Sequence, residues 1–420
     1  PGIRMPKGFF YLISAQFASG LADNALLILG IAFLTEQGYP GWWAPLLKFS
    51  FTLSYVFLAP LMGPLADAFS KAKLMACMNA LKVAGVAFIF TSLHPMVAFA
   101  IVGMAASAYA PAKYGLVTET VQAELLVKAN GWLEVTVVMS VILGTACGGL
   151  LVASKNFEFM HLLNQAFIEA FALPVQTQYA GPLLSLIVIY FAAALLNFGI
   201  PHHDVQYEQQ SRNPVAMVKN FLQSNRVLWR DPIGKISLAV TTLFWGIGAV
   251  VQFAVLLWAQ EQLNMPLEKA SLLQAIVALG VIFGAGVAGH WIALHHAFKV
   301  LPLGIWLGLS LPALAFTNTL WIAIPLMLVT GFAGGMLMVP MNALLQNRGY
   351  TLLTAGRSIA VQGFNENASV MLMLGVYSGL LAMSLPLHWV MILMGSVMTI
   401  GMLYFIRMAS LKTDSTCSAI

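Results

Sequence analysis

Apolar residues run through this chain in long, unalternated stretches, each closed by a short polar or Pro/Gly-containing break. A stretch of about 20 such residues crosses a hydrocarbon core of about 30 Å as an α-helix. The pattern predicts twelve helices, over 8–34, 43–66, 73–93, 96–118, 129–153, 181–200, 236–262, 269–294, 299–317, 320–346, 356–384 and 387–407. Porin-type strands would alternate apolar and polar residues over about ten positions, which these runs do not do. The expected fold class is therefore all-α, polytopic and membrane-embedded. The longest polar segment, Pro201 to Lys235, is rich in Gln, Asn, His and Arg. It reads as a cytoplasmic linker (201–235) between one six-helix half at 1–200 and another at 236–407, with a tail at 408–420. The Ser154–Gly181 connection is also long, and its apolar piece around Phe167–Leu173 suits the membrane interface. No cleavable signal peptide is expected, because the first apolar run is already span length and lacks an A-x-A type site.

Composition sharpens this. Of 420 residues, 60% are hydrophobic and 8% charged, with a mean hydropathy of +0.85. A soluble domain carries about 25% charged residues, so a water-facing surface cannot be built from this set. The net charge of +5 does not point to nucleic acid, since the basic residues are scattered between apolar runs. They read instead as topology signals. If the N-terminus is cytoplasmic, sixteen of the twenty Lys and Arg fall on that side, among them Arg4, Lys7, Lys113, Lys128 and Arg348. Both termini and the linker are thus expected in the cytoplasm. Cys77, Cys147 and Cys417 have neither CxxC nor zinc spacing, and the first two are expected to be small core residues.

An internal repeat is visible. Asn130-Gly131-Trp132-Leu133-Glu134 recurs as Gln362-Gly363-Phe364-Asn365-Glu366, 232 positions on. Gly103 and Pro111 are echoed by Gly331 and Pro340, and Phe17, Gly20 and Asp23 by Trp245, Gly248 and Gln252. Two parallel six-helix halves with a site at their interface resemble the major facilitator superfamily.

The strongest local motif runs from Gly63 through Asp67 to Lys71 and Lys73, between the second and third spans. It is similar to the superfamily's signature loop, with Ala68 and Ser70 in place of its usual basic residue and glycine. Glycine permits close helix approach, and the aspartate can accept hydrogen bonds from a helix N-terminus or pair with a cation. Gly63, Asp67, Lys71 and Lys73 are therefore expected gating residues, with Arg357 as a partner for Asp67. An ordinary capped turn and plain positive-inside anchoring are the simpler alternatives.

An ionised group at mid-span costs at least about 2.5 kcal/mol and so requires a reason. Asp23 lies mid-way along the first span, followed by Asn24, with Gln16 two turns earlier on nearly the same face. Glu134 and Glu366 each follow an amide four residues back, Asn130 and Gln362, placing acid and amide on one helix face. Asn342 and Gln346 repeat that spacing on the tenth span. These groups can bind a headgroup or ion, or lock helices together. Lys82 reads equally as a buried counter-ion or a snorkelling residue, and Lys48 likewise. The eight histidines are mostly in loops, and no metal or cofactor is expected. The 22 methionines suit an adaptable apolar wall, although core filling explains any one of them as well. An integral acyltransferase is disfavoured because no histidine has an aspartate five positions on. No pore-loop segment speaks for a channel.

Gln16-Phe17, Gly20 and Asp23 to Leu27 resemble the opening of the bacterial lysophospholipid transporter family of the major facilitator superfamily. The likeness continues through Phe57–Pro60, Ser107–Gly115, Val127–Gly131, Leu243–Gly246, Val339–Gln346, Ile359–Gln362 and Glu366-Asn367, covering about 8–407. The resemblance implies movement of lysophosphatidylethanolamine and related lysophospholipids from the outer to the inner leaflet of the bacterial inner membrane. An acyltransferase would re-acylate them there; the transporter itself is expected to be a monomer. It also implies that Asp23 and Glu366 occupy acidic cavity positions. The family pattern has arginine where Gln252 stands, so a charge-paired site between the first and seventh spans lacks its cation here. Substrate contacts are thus expected at Gln16, Asp23, Asn24, Glu134, Gln252, Asn342, Gln362 and Glu366. A proton-coupled exporter of amphipathic drugs, with Asp23 or Glu366 carrying the proton, is the competing reading.

Overall fold

The computed structural model describes residues 5–120, 126–201, 213–292, 294–353 and 355–417. The side chains at 63, 67, 114, 115, 117–119, 126–131, 134, 135, 290, 343, 346, 350, 355, 356, 359 and 413–417 lie outside the described set. Fifteen α-helices are described: α1 (Lys7–Glu36), α2 (Ala44–Phe57), α3 (Ala59–Ala68), α4 (Lys71–Ala87), α5 (Pro95–Thr120), α6 (Leu126–Ala153), α7 (Glu158–Phe171), α8 (Ala180–Phe198), α9 (Pro214–Arg230), α10 (Pro232–Gln262), α11 (Leu267–Trp291), α12 (Pro302–Ala315), α13 (Leu320–Leu352), α14 (Ala355–Ala382) and α15 (Leu387–Cys417). The dominance of helix has a physical reason. A segment in lipid has no water to bond its peptide groups, and a helix satisfies them within itself.

Among the described residues, ten helices are long and apolar enough to cross a membrane, and a bent pair makes an eleventh. Three expectations need adjusting. The span expected over 43–66 is broken at Leu58, where Gly41–Phe57 and Ala59–Ala66 meet at 59°. Pro60 opens α3 there, and it has no N–H to continue the preceding helix's ladder. The span expected over 356–384 is helical as α14, but Gln362, Asn365, Glu366 and Asn367 leave it short of the same apolarity. The expected turn from Gly63 to Lys73 is mostly helix: α3 runs to Ala68, and α4 starts at Lys71.

The long connections also contain helices. In the 154–181 segment α7 is amphipathic and ends at Phe171, where Ala172 takes a left-handed conformation (φ 46°). The interface piece expected at Phe167–Leu173 is therefore the end of this helix. Within 201–235, α9 stops at Arg230 and Asp231 caps α10, its Oδ2 accepting from the Gly234 N–H at 2.8 Å. Cys77 is exposed, contrary to its expected core role, because its position on α4 faces away from the packed side; Cys147 is partly buried.

Two compact units are described. The first comprises the chain up to Met217 with Leu267–Leu272, and the second Val218–Pro266 with Leu273 onward. In the first, α1 packs on α6 and α8, and α4 on α5 and α8. In the second, α10 packs on α14 and α15, and α12 on α13 and α15. The pairing is the same within each unit, so the sequence repeat is also a packing repeat. Gly103 and Gly331 carry it into atomic detail. A Cβ on Gly103 of α5 would lie 1.9 Å from the Phe51 carbonyl oxygen of α2, and one on Gly331 of α13 2.2 Å from the Val277 carbonyl oxygen of α11.

In the second unit, Arg348 donates to both oxygens of Asp231, at 2.7 Å from Nε and 2.6 Å from Nη2. These hydrogen bonds hold the Asp231 carboxyl below its ordinary range; partial burial opposes them, and the Gly234 N–H assists. A depressed folded-state pKa contributes stability that is present above the unfolded-chain value and lost as pH falls through the folded one. Arg348 is about a third exposed, so solvent screens the pair and about 1 kcal/mol is at stake. Acidification below the carboxylate range should thus lower the unfolding temperature of the wild type more steeply than that of Asp231→Asn. Parallel pH profiles for the two would refute this role.

Candidate functional site

One face of α1 presents Gln16, Ser19, Gly20, Asp23 and Asn24, which is what a spacing of three, four and seven residues does on a helix. Helix α6 comes close because two glycines remove side chains from the contact. A Cβ at Gly20 would lie 2.8 Å from Ser140 Oγ, and one at Gly144 2.6 Å from the Leu21 carbonyl oxygen. With Tyr55 of α2, Lys82 of α4 and Tyr109 and Lys113 of α5, these elements enclose a cavity of about 150 Å³ in the first unit.

The electrostatic centre is an ion pair. Lys82 Nζ lies 2.9 Å from Asp23 Oδ2, with side-chain exposures of 2% for Lys82 and 19% for Asp23. Lys82 also donates to Ser19 Oγ at 2.9 Å and sits over the Tyr109 and Tyr190 rings, 5.2 and 5.6 Å from their centroids. Such cation–π contacts are strengthened by desolvation. Tyr190 of α8 donates to Asp23 Oδ1 at 2.5 Å. Behind the pair, Ser19 Oγ donates to Asn79 Oδ1, and Asn79 Nδ2 to Asn197 Oδ1, each at 2.7 Å. Three helices, α1, α4 and α8, are thereby tied together by polar groups in an apolar unit. Buried polar groups are tolerable when bonded in this way, and the paired charges avoid the cost of a lone ion.

Gln16 Nε2 donates to Thr136 Oγ1 at 2.8 Å, and Asn24 Nδ2 to the Gly20 carbonyl at 2.8 Å. Both line the cavity beside Asp23. In the second unit, Gln362 Nε2 donates to Asn342 Oδ1 and to Glu366 Oε1, both at 2.8 Å, linking α13 to α14. Asn365, beside Glu366 in sequence, faces α9 instead: it donates to Asn225 Oδ1 at 2.8 Å and accepts from Trp229 Nε1 at 3.0 Å. The Gln252 backbone carbonyl accepts from Gln274 Nε2 at 2.7 Å. Arg357 donates to Ser224 Oγ from Nε and Nη2, at 3.0 and 2.7 Å. Lys71 is buried and Lys73 exposed. Gly63, Asp67 and Glu134 lie outside the described side chains.

Three of the expected substrate residues thus line one cavity in the first unit, and three others form a hydrogen-bonded trio in the second. Lys82 proves to be a buried counter-ion. Sequence reasoning missed Ser19, Asn79, Tyr109, Tyr190 and Asn197. A signal was present: Asn79 and Lys82 are three residues apart and Tyr190 and Asn197 seven, isolated polar groups at helical spacing in apolar runs. Among the described residues no three His, Cys, Asp or Glu side chains gather as a metal site would require.

The family model of the Major Facilitator Superfamily matches residues 8–351. A protein of Serratia proteamaculans (strain 568) named lysophospholipid transporter LplT is 36% identical over 375 residues, covering 89% of this chain and 88% of its own. Its namesake in Yersinia pestis (strain Pestoides F) is 35% identical over 383 residues, covering 91% and 89%. The chain belongs to the bacterial lysophospholipid transporter family of the major facilitator superfamily. It is a multi-pass membrane transporter and not an enzyme. The crystal structure of the nucleoside transporter NupG shares the fold, with a TM-score of 0.72 at 12% identity, covering 96% of this chain and 99% of that one.

Proposed function

We propose that this transporter moves lysophospholipids, lysophosphatidylethanolamine among them, from the outer to the cytoplasmic leaflet of a bacterial inner membrane by alternating access. The observation that carries the reading is the cavity at Asp23. It gathers an ion pair and a few amides and hydroxyls in an otherwise apolar unit, which suits a small charged headgroup attached to an acyl chain. A sugar carrier would need many more hydrogen-bonding groups to satisfy each hydroxyl in a dry site. The relatives' shared name supports the same substrate class.

On this reading the halves at 1–200 and 236–407 move about the linker at 201–235, both termini are cytoplasmic, and the protein acts as a monomer. Asp67, Lys71, Lys73 and Arg357 take part in gating. Product delivered to the inner leaflet is re-acylated by an inner-membrane acyltransferase. Radiolabelled lysophosphatidylethanolamine offered to vesicles containing the full chain should reach the cytoplasmic-side leaflet, and Asp23→Ala should reduce that movement at least tenfold. Absence of lysolipid movement by the wild type would defeat the reading. Movement of unrelated amphipathic drugs that requires a proton gradient would favour the exporter alternative.

A further inference from the structure

We infer that Lys82 is the phosphate-recognising residue of this site, engaged by exchange of ion pairs when a headgroup enters. The inference rests on the lysophospholipid reading above and assigns roles within its cavity. The described charged side chains lining the cavity are Asp23, Lys82 and Lys113. The Lys82 ammonium, paired with Asp23 at the cavity wall, is the cation an entering anionic group can take, and a phosphodiester supplies such a group. Within the protein, Lys82 is satisfied through Asp23 Oδ2 and Ser19 Oγ. A headgroup bearing both phosphate and amine brings one charge of each sign. The phosphate can take the Lys82 ammonium while the amine takes Asp23, so that opposite charges alternate and none is left alone in the membrane. Replacing one pairing by an equivalent one avoids the penalty of stranding a buried ion.

The surrounding groups fit this exchange. Tyr190 holds Asp23 Oδ1, which leaves Oδ2 free to change partner without the carboxylate turning away. The chain from Ser19 through Asn79 to Asn197 fixes the wall on which Lys82 rests. A headgroup without phosphate offers Lys82 nothing in return for Asp23 and should be rejected. A headgroup with phosphate and glycerol but no amine still satisfies Lys82, and a glycerol hydroxyl can donate to Asp23 Oδ2 in place of the amine, though more weakly than an ammonium.

The test compares three molecules with the same acyl chain, lysophosphatidylethanolamine, lysophosphatidylglycerol and monoacylglycerol, in vesicles containing the full-length protein. Wild type should move the first two and not the third. Asp23→Asn should reduce lysophosphatidylethanolamine movement about tenfold more than lysophosphatidylglycerol movement. Lys82→Gln strands Asp23 and risks misfolding, so the doubly neutral Lys82→Gln/Asp23→Asn protein is the decisive variant. It should remain monodisperse and lose both lysolipids at least tenfold. Retention of lysophosphatidylglycerol movement by the folded double variant would overturn the role of Lys82. Equal losses of both lysolipids in Asp23→Asn would overturn the exchange. If wild type moves neither lysolipid, the substrate reading itself falls and this inference with it.

Discussion

Lys82→Met should destabilise the first unit by about 3 kcal/mol, the lower end of the range for removing one partner of a buried ion pair. The lower end applies because Asp23, the partner left behind, keeps 19% of its side-chain surface exposed and retains the Tyr190 hydroxyl. The substitution also strips Ser19 Oγ of its donor and removes the cation from two tyrosine rings. Thermal unfolding of the purified protein in detergent measures the effect. Adding Asp23→Asn should recover most of the loss, since no uncompensated charge then remains. A snorkelling lysine would behave differently: its removal would cost little, and the second substitution would restore nothing. An unchanged unfolding temperature for Lys82→Met would therefore show that the pair does not hold the unit together.

Gly103→Ala and Gly331→Ala should each cost about 3 kcal/mol, near the top of the overpacking range. The added carbon would meet backbone, the Phe51 carbonyl oxygen at 1.9 Å and the Val277 carbonyl oxygen at 2.2 Å. A backbone atom cannot rotate away, so each pair of helices must separate and lose contacts along its length. Gly248→Ala is the matched control, because nothing lies within 4 Å of its added carbon. Alanine is a better helix former than glycine by about 1 kcal/mol, so this exchange should be neutral or slightly stabilising. Yield of monodisperse protein and unfolding temperature report all three. Similar behaviour of Gly103→Ala and Gly248→Ala would sink the argument that close backbone approach sets the packing of α5 on α2.

Much of the fold was legible because lipid imposes a local rule. A segment that must satisfy its own peptide groups and bury few charges declares itself by composition, and ten of the expected spans are long apolar helices. The exceptions have local causes too, Pro60 at the break after α2 and the amides and Glu366 of α14. The repeat was legible because matching residues do matching work, as Gly103 and Gly331 show at their helix contacts. The candidate site was only half legible. Asp23, Gln16 and Asn24 share one helix face, which spacing alone establishes. Asn365, adjacent to Glu366 in sequence, lies on another face of α14, where it bonds α9.

By itself, then, the sequence determined the helices, their approximate number and the membrane environment, all properties of a window of about 20 residues, and the two-fold repetition, read from motifs such as Asn130–Glu134 and Gln362–Glu366. Tertiary structure decided which polar groups meet. Asp23 is 59 residues from Lys82 and 167 from Tyr190. No local pattern fixes the rotation and crossing of α1, α4 and α8 that brings the three within hydrogen-bonding distance. Those depend on close approaches such as Gly20 and Gly144 between α1 and α6, where the absence of a side chain lets one backbone settle against another. An isolated lysine in an apolar run is costly on its own, and only the packed unit shows that its charge is matched.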